Sequence, residues 1–208
     1  MMRWWDEHVL PRVVDRLLDV GQVHKLRERT CAGLEGRVLE IGFGSGLNVQ
    51  HYPATVTEVA GVEPNHDAWE LARPRIEGSS VPVRQSGLDG QHLAEPDASF
   101  DSALSTFTLC TIPDHDLALR EVYRVLRPGG ELHFLEHGLA EDTGVEKWQH
   151  RLEPIQKRVG GGCHLTRQPA EAAERAGFEV VELEAGYLPG PSLTKVAGYF
   201  YLGRARRP

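Results

Sequence analysis

An α/β fold with a doubly wound, Rossmann-like sheet is predicted by three features of this sequence. Short apolar strands alternate with helix-forming stretches between residues 37 and 135. A glycine-rich turn, Gly42-Phe-Gly44-Ser-Gly46, follows the first strand directly, and an acidic residue, Glu63, ends the next one. Such alternation implies right-handed crossovers and a mainly parallel sheet covered on both faces.

Residues from about Trp4 to Cys31 read as a helical lead-in, with Val9, Val13, Leu17, Val20, His24 and Leu26 near one stripe and interruptions at Pro11 and Gly21. Arg37–Ile41 is the first strand, and a helix is expected from about Leu47. Glu58–Val62, Val81–Gln85, Phe100–Ser105 and Glu131–Leu135 follow as strands. Between them lie a helix over His66–Ile76, with Asn65 as N-cap, and one from Asp114 to Leu126, stopped by Pro128-Gly129-Gly130. The tail reads as a helix over Val145–Val159, a glycine loop at 160–162, a helix near Gln168–Ala176 ended by Gly177, and strands Glu179–Glu184 and Gly198–Arg204.

The 208 residues suit one domain: a helical lid (1–33), a cofactor-binding core (34–137), and substrate-side helices with terminal strands (138–208). A net charge of −7 leaves no broad basic field for nucleic acid. Three scattered cysteines, an odd number, argue against a disulfide framework and for a reducing cytoplasm. No apolar run approaches the roughly 18–20 residues of a membrane span, so no integral segment is expected, while peripheral membrane contact stays open. A monomer or homodimer is expected.

Glycines at a strand-to-helix turn let a ligand approach the backbone where side chains would block it. Glu63 stands where a carboxylate can accept hydrogen bonds from ribose hydroxyls. A dinucleotide turn reads G-x-G-x-x-G, but the spacing here is G-x-G-x-G, and residue 47 is leucine. Glu40, just before the turn, would repel a pyrophosphate and suits an ammonium or sulfonium group. A turn without ligand and a nicotinamide site are the alternatives.

With these residues in place, the chain resembles class I S-adenosylmethionine-dependent methyltransferases from Arg37 to about Glu136. The glycine segment, Glu63-Pro64, Asp97-Ala-Ser-Phe-Asp101 and Leu126-Arg-Pro-Gly-Gly130 carry that resemblance. Gly46-Leu-Asn48, Tyr52-Pro53, Leu109-Cys110, Glu136-His137 and Gly162-Cys163-His164-Leu165-Thr166-Arg167 are similar to the methyltransferase-like 7 group, whose relatives include thiol S-methylating and phospholipid N-methylating members. The resemblance implies a seven-stranded mixed sheet with its last strand antiparallel. It implies that Glu40, Gly42, Gly44, Gly46 and Asn48 serve the methionine part of S-adenosylmethionine. Glu63 would hold the ribose, Pro64 and Gly87-Leu88 would border the adenine, and Thr106 and Phe107 would line the methionine end and substrate mouth. The acidic residue common beside the adenine is replaced by Gly87, unless Asp89 takes over.

A sulfonium methyl is already electrophilic, so the protein must chiefly align a nucleophile and exclude water. A thiol attacks as thiolate and an amine must arrive neutral, so either can call for a proton acceptor. His137, after the fifth strand at the sheet's carboxyl edge, is the first candidate; His164 is a weaker one, and Glu136 is expected to anchor a loop. Trp5, with Trp4 and His8, is expected to close over the substrate, and Phe107 and His137 to line its pocket. Cys110, Glu136, His137, Cys163 and His164 include no compact ligand pair such as C-x-x-C, so no metal is expected. Ser105-Thr-Phe-Thr108 is unlike the Asn-Pro-Pro-Tyr stretch of base-amine methylation. The expected activity is methyl transfer to a small apolar acceptor, sulfur ahead of nitrogen. A phospholipid or amine N-methyltransferase and a non-catalytic cofactor-binding module are the rivals.

Overall fold

The computed structural model describes residues 4–188 and 192–208. Its strands are β1 (Gly36–Ile41), β2 (Val56–Val62), β3 (Val83–Gly87), β4 (Phe100–Thr106), β5 (Leu126–His137), β6 (Glu179–Tyr187) and β7 (Tyr199–Arg206). They form one sheet in the order β3-β2-β1-β4-β5-β7-β6. The first five run parallel, and β7 is antiparallel to both β5 and β6. This is the expected mixed seven-stranded sheet with its last strand reversed. The chain order reverses between β1 and β4, and a crevice outside the carboxyl ends of such strands is where doubly wound folds bind ligands.

The central strands are apolar on both faces, as strands covered on both sides must be. Leu39, Ile41, Phe100 and Phe134 join one buried cluster with Leu119 and Val122. Val38, Val59 and Leu104 join another with Leu34 and Phe43. Neighbouring residues Val38 and Leu39 thus serve opposite faces, following the two-residue period of a strand.

Six α-helices are described: α1 (Leu10–Leu18), α2 (Gly21–Cys31), α3 (His66–Glu77), α4 (His115–Val125), α5 (Thr143–Val159) and α6 (Pro169–Arg175). Asn65 caps α3 by accepting from the Ala68 N–H at 2.9 Å, and Asp114 caps α4 by accepting from Leu117 at 2.9 Å. Asp142, not foreseen, does the same for α5.

Three expectations are corrected. The lead-in is helical and breaks before Gly21, where Val20 is extended, but Pro11 does not interrupt it: a π-helical segment over Trp5–Val9 runs into α1, and α2 follows. Val13, Leu17 and Val20 of its stripe remain exposed. The helix expected from Leu47 shrinks to one 3₁₀ turn, Val49–His51, since Tyr52 precedes Pro53 and is driven to extended backbone. The fifth strand is longer than expected. Leu126 already pairs with Phe100, and a register shift before Ser102–Glu131 lets Pro128-Gly129-Gly130 loop out within the strand.

Candidate active site

The carboxyl ends of β1, β2 and β4 meet the N-terminal segments around a cavity of about 910 Å³. Gly42, Gly44, Glu63, Pro64, Leu88, Thr106, Phe107, His137 and Trp5 all line it. Glu40, Gly46, Asn48 and Gly87, expected at the cofactor, do not.

The two lining glycines are needed for different reasons. Gly42 (φ +68) would drive a β-carbon to 2.0 Å from Thr108 Oγ1, so the β4 loop packs against bare backbone. Gly44 (φ +57) would meet only the Gly42 carbonyl oxygen at 3.9 Å, so space lies open beside it. Gly46 instead packs on Phe43, Val49 and Ala72, which explains its distance from the cavity.

Glu63 crosses from the end of β2 to this turn. One oxygen accepts from the Gly44 N–H and the other from the Asn65 N–H, both at 2.8 Å. Burial pushes its pKa up, against those two bonds. Each carboxylate oxygen keeps a lone pair for a further donor. Leu88 is exposed on the neighbouring wall, and Asp89 lines the cavity while holding Gln91 and His92.

Beneath the turn lies a buried polar network. Glu40 is fully buried, accepting from Asn48 Nδ2 at 2.9 Å and from the Tyr52 hydroxyl. Burial raises its pKa to about 7, against the hydrogen bonds from Tyr52 and Asn48 and the charge of Arg27. Arg27, from α2, donates through Nη1 to Asn48 Oδ1 at 2.7 Å and Thr106 Oγ1 at 2.9 Å. Glu40 therefore meets the cavity through Asn48 and Arg27 rather than by its own oxygens. Arg27 is not among the residues the sequence singles out, since its partners Asn48 and Thr106 lie 21 and 79 positions away.

At the other end, Glu136 is fully buried, and its carboxylate accepts from Ser105 Oγ at 2.7 Å and from the Thr108 N–H at 2.9 and 3.0 Å. It anchors the loop after β4, as expected, and that loop carries Phe107 in the left-handed region at φ 53. Next to Glu136, His137 Nε2 lies 3.0 Å from Cys163 Sγ. Cys110 joins them: its sulfur, the Cys163 sulfur and a His137 ring nitrogen lie within 4.8 Å of one another, all three residues buried.

A hydrogen bond from the Cys110 thiol pulls the Cys163 pKa down, burial opposes, and the His137 contact and charge add to the lowering. The Cys110 thiol is correspondingly pushed up by that bond and by burial. Burial lowers His137, but Cys163 outweighs it and the net shift is upward. Both shifts run in the direction that favours a thiolate on Cys163 beside a protonated His137. This soft donor set is also one a divalent metal accepts, although no sequence spacing announced it. His164 faces Glu153 instead, at 3.1 Å.

The N-terminal segments cover both ends. Trp5 Nε1 donates to the Val159 carbonyl at 3.2 Å, His8 pairs with Asp67 at 3.0 Å, and Asp15 accepts from Ser45 Oγ at 2.7 Å.

The methyltransferase domain family model matches residues 39–134. The chain is 36% identical over 178 residues to the thiol S-methyltransferase TMT1B of Rattus norvegicus, covering 82% of this chain and 70% of that protein. The chain is a class I S-adenosylmethionine-dependent methyltransferase of the methyltransferase-like 7 group. The phosphatidylethanolamine N-methyltransferase of Cereibacter sphaeroides is 35% identical to this methyltransferase over 136 residues, 61% of this chain and 66% of its own. Among solved structures, an S-adenosylmethionine-dependent methyltransferase from Mesorhizobium loti superimposes with a TM-score of 0.66 at 20% identity, over 92% of this chain and all 100% of its own. The [4+2]-cyclase SpnF also reaches 0.66, at 24% identity over 95% and 82%. Fold likeness at that identity does not choose the reaction.

S-adenosylmethionine is the cofactor of this methyltransferase, and the cavity suits it. Open space lies beside the Gly44 backbone, the Glu63 oxygens keep lone pairs that could accept from hydroxyls, and apolar Leu88 and Pro64 line the same cavity.

Proposed function

We propose that this methyltransferase methylates the sulfur of a small apolar thiol, and that His137 and Cys163 together take the thiol's proton. The observation that carries the reading is the cluster of Cys110, His137 and Cys163 on the wall of the same cavity as the glycine turn. Leu10, Val14, Leu17 and Ile112 line the cavity as well and suit an apolar acceptor. The thiol relatives support sulfur over nitrogen. A reducing cytoplasm would keep the three free cysteines as thiols.

When bound, the cofactor supplies an electrophilic methyl group on a sulfonium. Gly42, Gly44, Glu63, Pro64, Leu88, Thr106 and Phe107 would hold it along one wall, with Glu40, Asn48 and Gly46 supporting that wall from behind. Trp5, Phe107 and the His137 end would shape the acceptor's place and keep water out. The acceptor thiol gives its proton to the Cys163 thiolate, leaving a neutral Cys163 and an acceptor thiolate. The His137 imidazolium balances whichever sulfur bears the charge. The proton thus goes to the pair rather than to the histidine alone.

The test is methyl transfer to an alkyl thiol by wild type, Cys163→Ser and His137→Gln, with cofactor affinity measured alongside. Both variants should keep cofactor affinity and lose turnover. Full turnover in either would remove that residue from the reaction.

A further inference from the structure

The three cysteines, all free thiols, differ in their surroundings. Cys31 has no exposed surface and packs with Leu34 and Val38 in the buried cluster on one face of the sheet. Cys110 and Cys163 instead line the cavity, on the loop after β4 and the loop after α5. Their sulfurs and a His137 ring nitrogen lie within 4.8 Å of one another. The main chains are tied at the same place, where the His164 N–H donates to the Cys110 carbonyl at 2.8 Å. A proton acceptor at this site needs one sulfur, and a serine hydroxyl at position 110 would give Cys163 the same hydrogen bond. What a second sulfur adds is a partner for a covalent bond.

We propose that Cys163 and Cys110 form an oxidation site: a small hydroperoxide oxidises Cys163, and Cys110 closes the product to an intramolecular disulfide. The order follows from His137, whose Nε2 lies 3.0 Å from Cys163 Sγ, since a sulfur beside an imidazole gains thiolate character. The thiol shifts agree. The Cys110 hydrogen bond and then His137 hold Cys163 down, that same bond holds Cys110 up, and burial holds Cys31 up. In the first step the Cys163 thiolate attacks one peroxide oxygen. The S–O bond forms, the O–O bond breaks, and the departing hydroxide takes the His137 proton and leaves as water. In the second, the Cys110 thiol passes its proton to His137 and its sulfur displaces the oxygen from Cys163. The S–S bond forms, and the released hydroxide takes that proton as a second water. The two sulfurs together lose two electrons, and the peroxide gains them. A small thiol reverses the change by exchange through a mixed disulfide. The disulfide would consume the thiolate that the proposed methyl transfer uses, so loss of turnover rests on that reading, whereas formation of the bond does not.

In the experiment the full chain is reduced with a phosphine rather than a thiol, treated with hydrogen peroxide, alkylated at its remaining thiols and run on a non-reducing gel. Mass spectrometry of the digested monomer band should find one peptide pair joined through Cys110 and Cys163, with Cys31 alkylated. In Cys110→Ala the reaction should stop at the sulfenic acid, and dimedone should label Cys163. Methyl transfer by the oxidised wild type should fall about 100-fold or more, the smaller end of what proton-transfer catalysis contributes, and return with the phosphine. Absence of the Cys110–Cys163 bond, a bond through Cys31 or a bond between chains would overturn the assignment. So would dimedone on Cys110 in Cys163→Ala with none on Cys163 in Cys110→Ala. A disulfide that forms with turnover unchanged would uphold the oxidation site and remove Cys163 from the proton transfer proposed above.

Discussion

The cofactor end and the acceptor end share one cavity but are built on different principles. At the cofactor end, Gly42, Gly44 and Glu63 lie within 22 consecutive residues, and main-chain N–H groups fix the carboxylate. Arg27, Glu40, Asn48, Tyr52 and Thr106 brace that wall from beneath by hydrogen bonds. At the acceptor end, Cys110, His137 and Cys163 come from the β4 loop, the end of β5 and the loop after α5. There the tie is the 3.0 Å contact of His137 Nε2 with Cys163 Sγ, between residues 26 positions apart in sequence. In the proposed reading the first end holds the cofactor in a fixed pose and the second takes a proton from the acceptor.

The contrast predicts where variants act. Removing either partner of that contact should have the largest effect. His137→Gln or Cys163→Ser should slow methyl transfer about 100- to 10,000-fold, the range of proton-transfer catalysis, with cofactor affinity within about twofold. A matching loss of cofactor affinity, seen by calorimetry, would erase the division between the two ends.

The glycines divide the cofactor end further. Gly42→Ala meets both the left-handed backbone cost and the Thr108 side chain, so it should cost about 2–5 kcal/mol of stability in a denaturant melt. Gly44→Ala meets only the backbone cost, about 1–2 kcal/mol, and should act mainly by weakening cofactor binding. A Gly44→Ala protein that binds normally would move the cofactor elsewhere.

Glu40 gives a smaller effect with a defined sign. Its pKa is raised by burial from 4.5 to about 7, so the folded protein holds a proton there that the unfolded chain has released. Stability through this group is therefore greatest at low pH, falls as pH rises between those values, and is level above about 7. The slope is at most about 1.4 kcal/mol per pH unit. Glu40→Gln should lack this contribution, which the difference between the two pH–stability curves isolates. Parallel curves would show that Glu40 is charged throughout.

The smallest expected effect concerns the three soft donors. Exhaustive chelation should leave the rate of thiol methylation within about twofold. A loss restored by zinc would turn His137 and Cys163 from proton acceptors into metal ligands.

The same contrast explains what the sequence disclosed. The strand–turn–helix alternation and the Gly42–Glu63 spacing are local, and local order survives in a linear reading. Asn65 and Asp114 were legible as caps because capping is settled within three residues. Arg27 was not legible: its burial depends on Asn48 and Thr106, 21 and 79 positions away. The meeting of Cys110 with His137 and Cys163 was equally hidden, since only the crossover from β5 through α5 brings these segments together. The shortened helix after Leu47, by contrast, has a local cause, since Pro53 drives Tyr52 to extended backbone. Glycine spacing announced the methyl donor, whereas the cluster of Cys110, His137 and Cys163 emerges only in three dimensions.

One reaction offering both nucleophiles separates methylation of sulfur from methylation of nitrogen. The enzyme is given S-adenosylmethionine labelled with ¹³C at the methyl group, an alkyl thiol and phosphatidylethanolamine vesicles together, and the products are read by carbon NMR. The label should appear in a methyl thioether, and Cys163→Ser should abolish that signal. Label appearing in N-methylated phospholipid, with no thioether formed, would contradict the thiol reading.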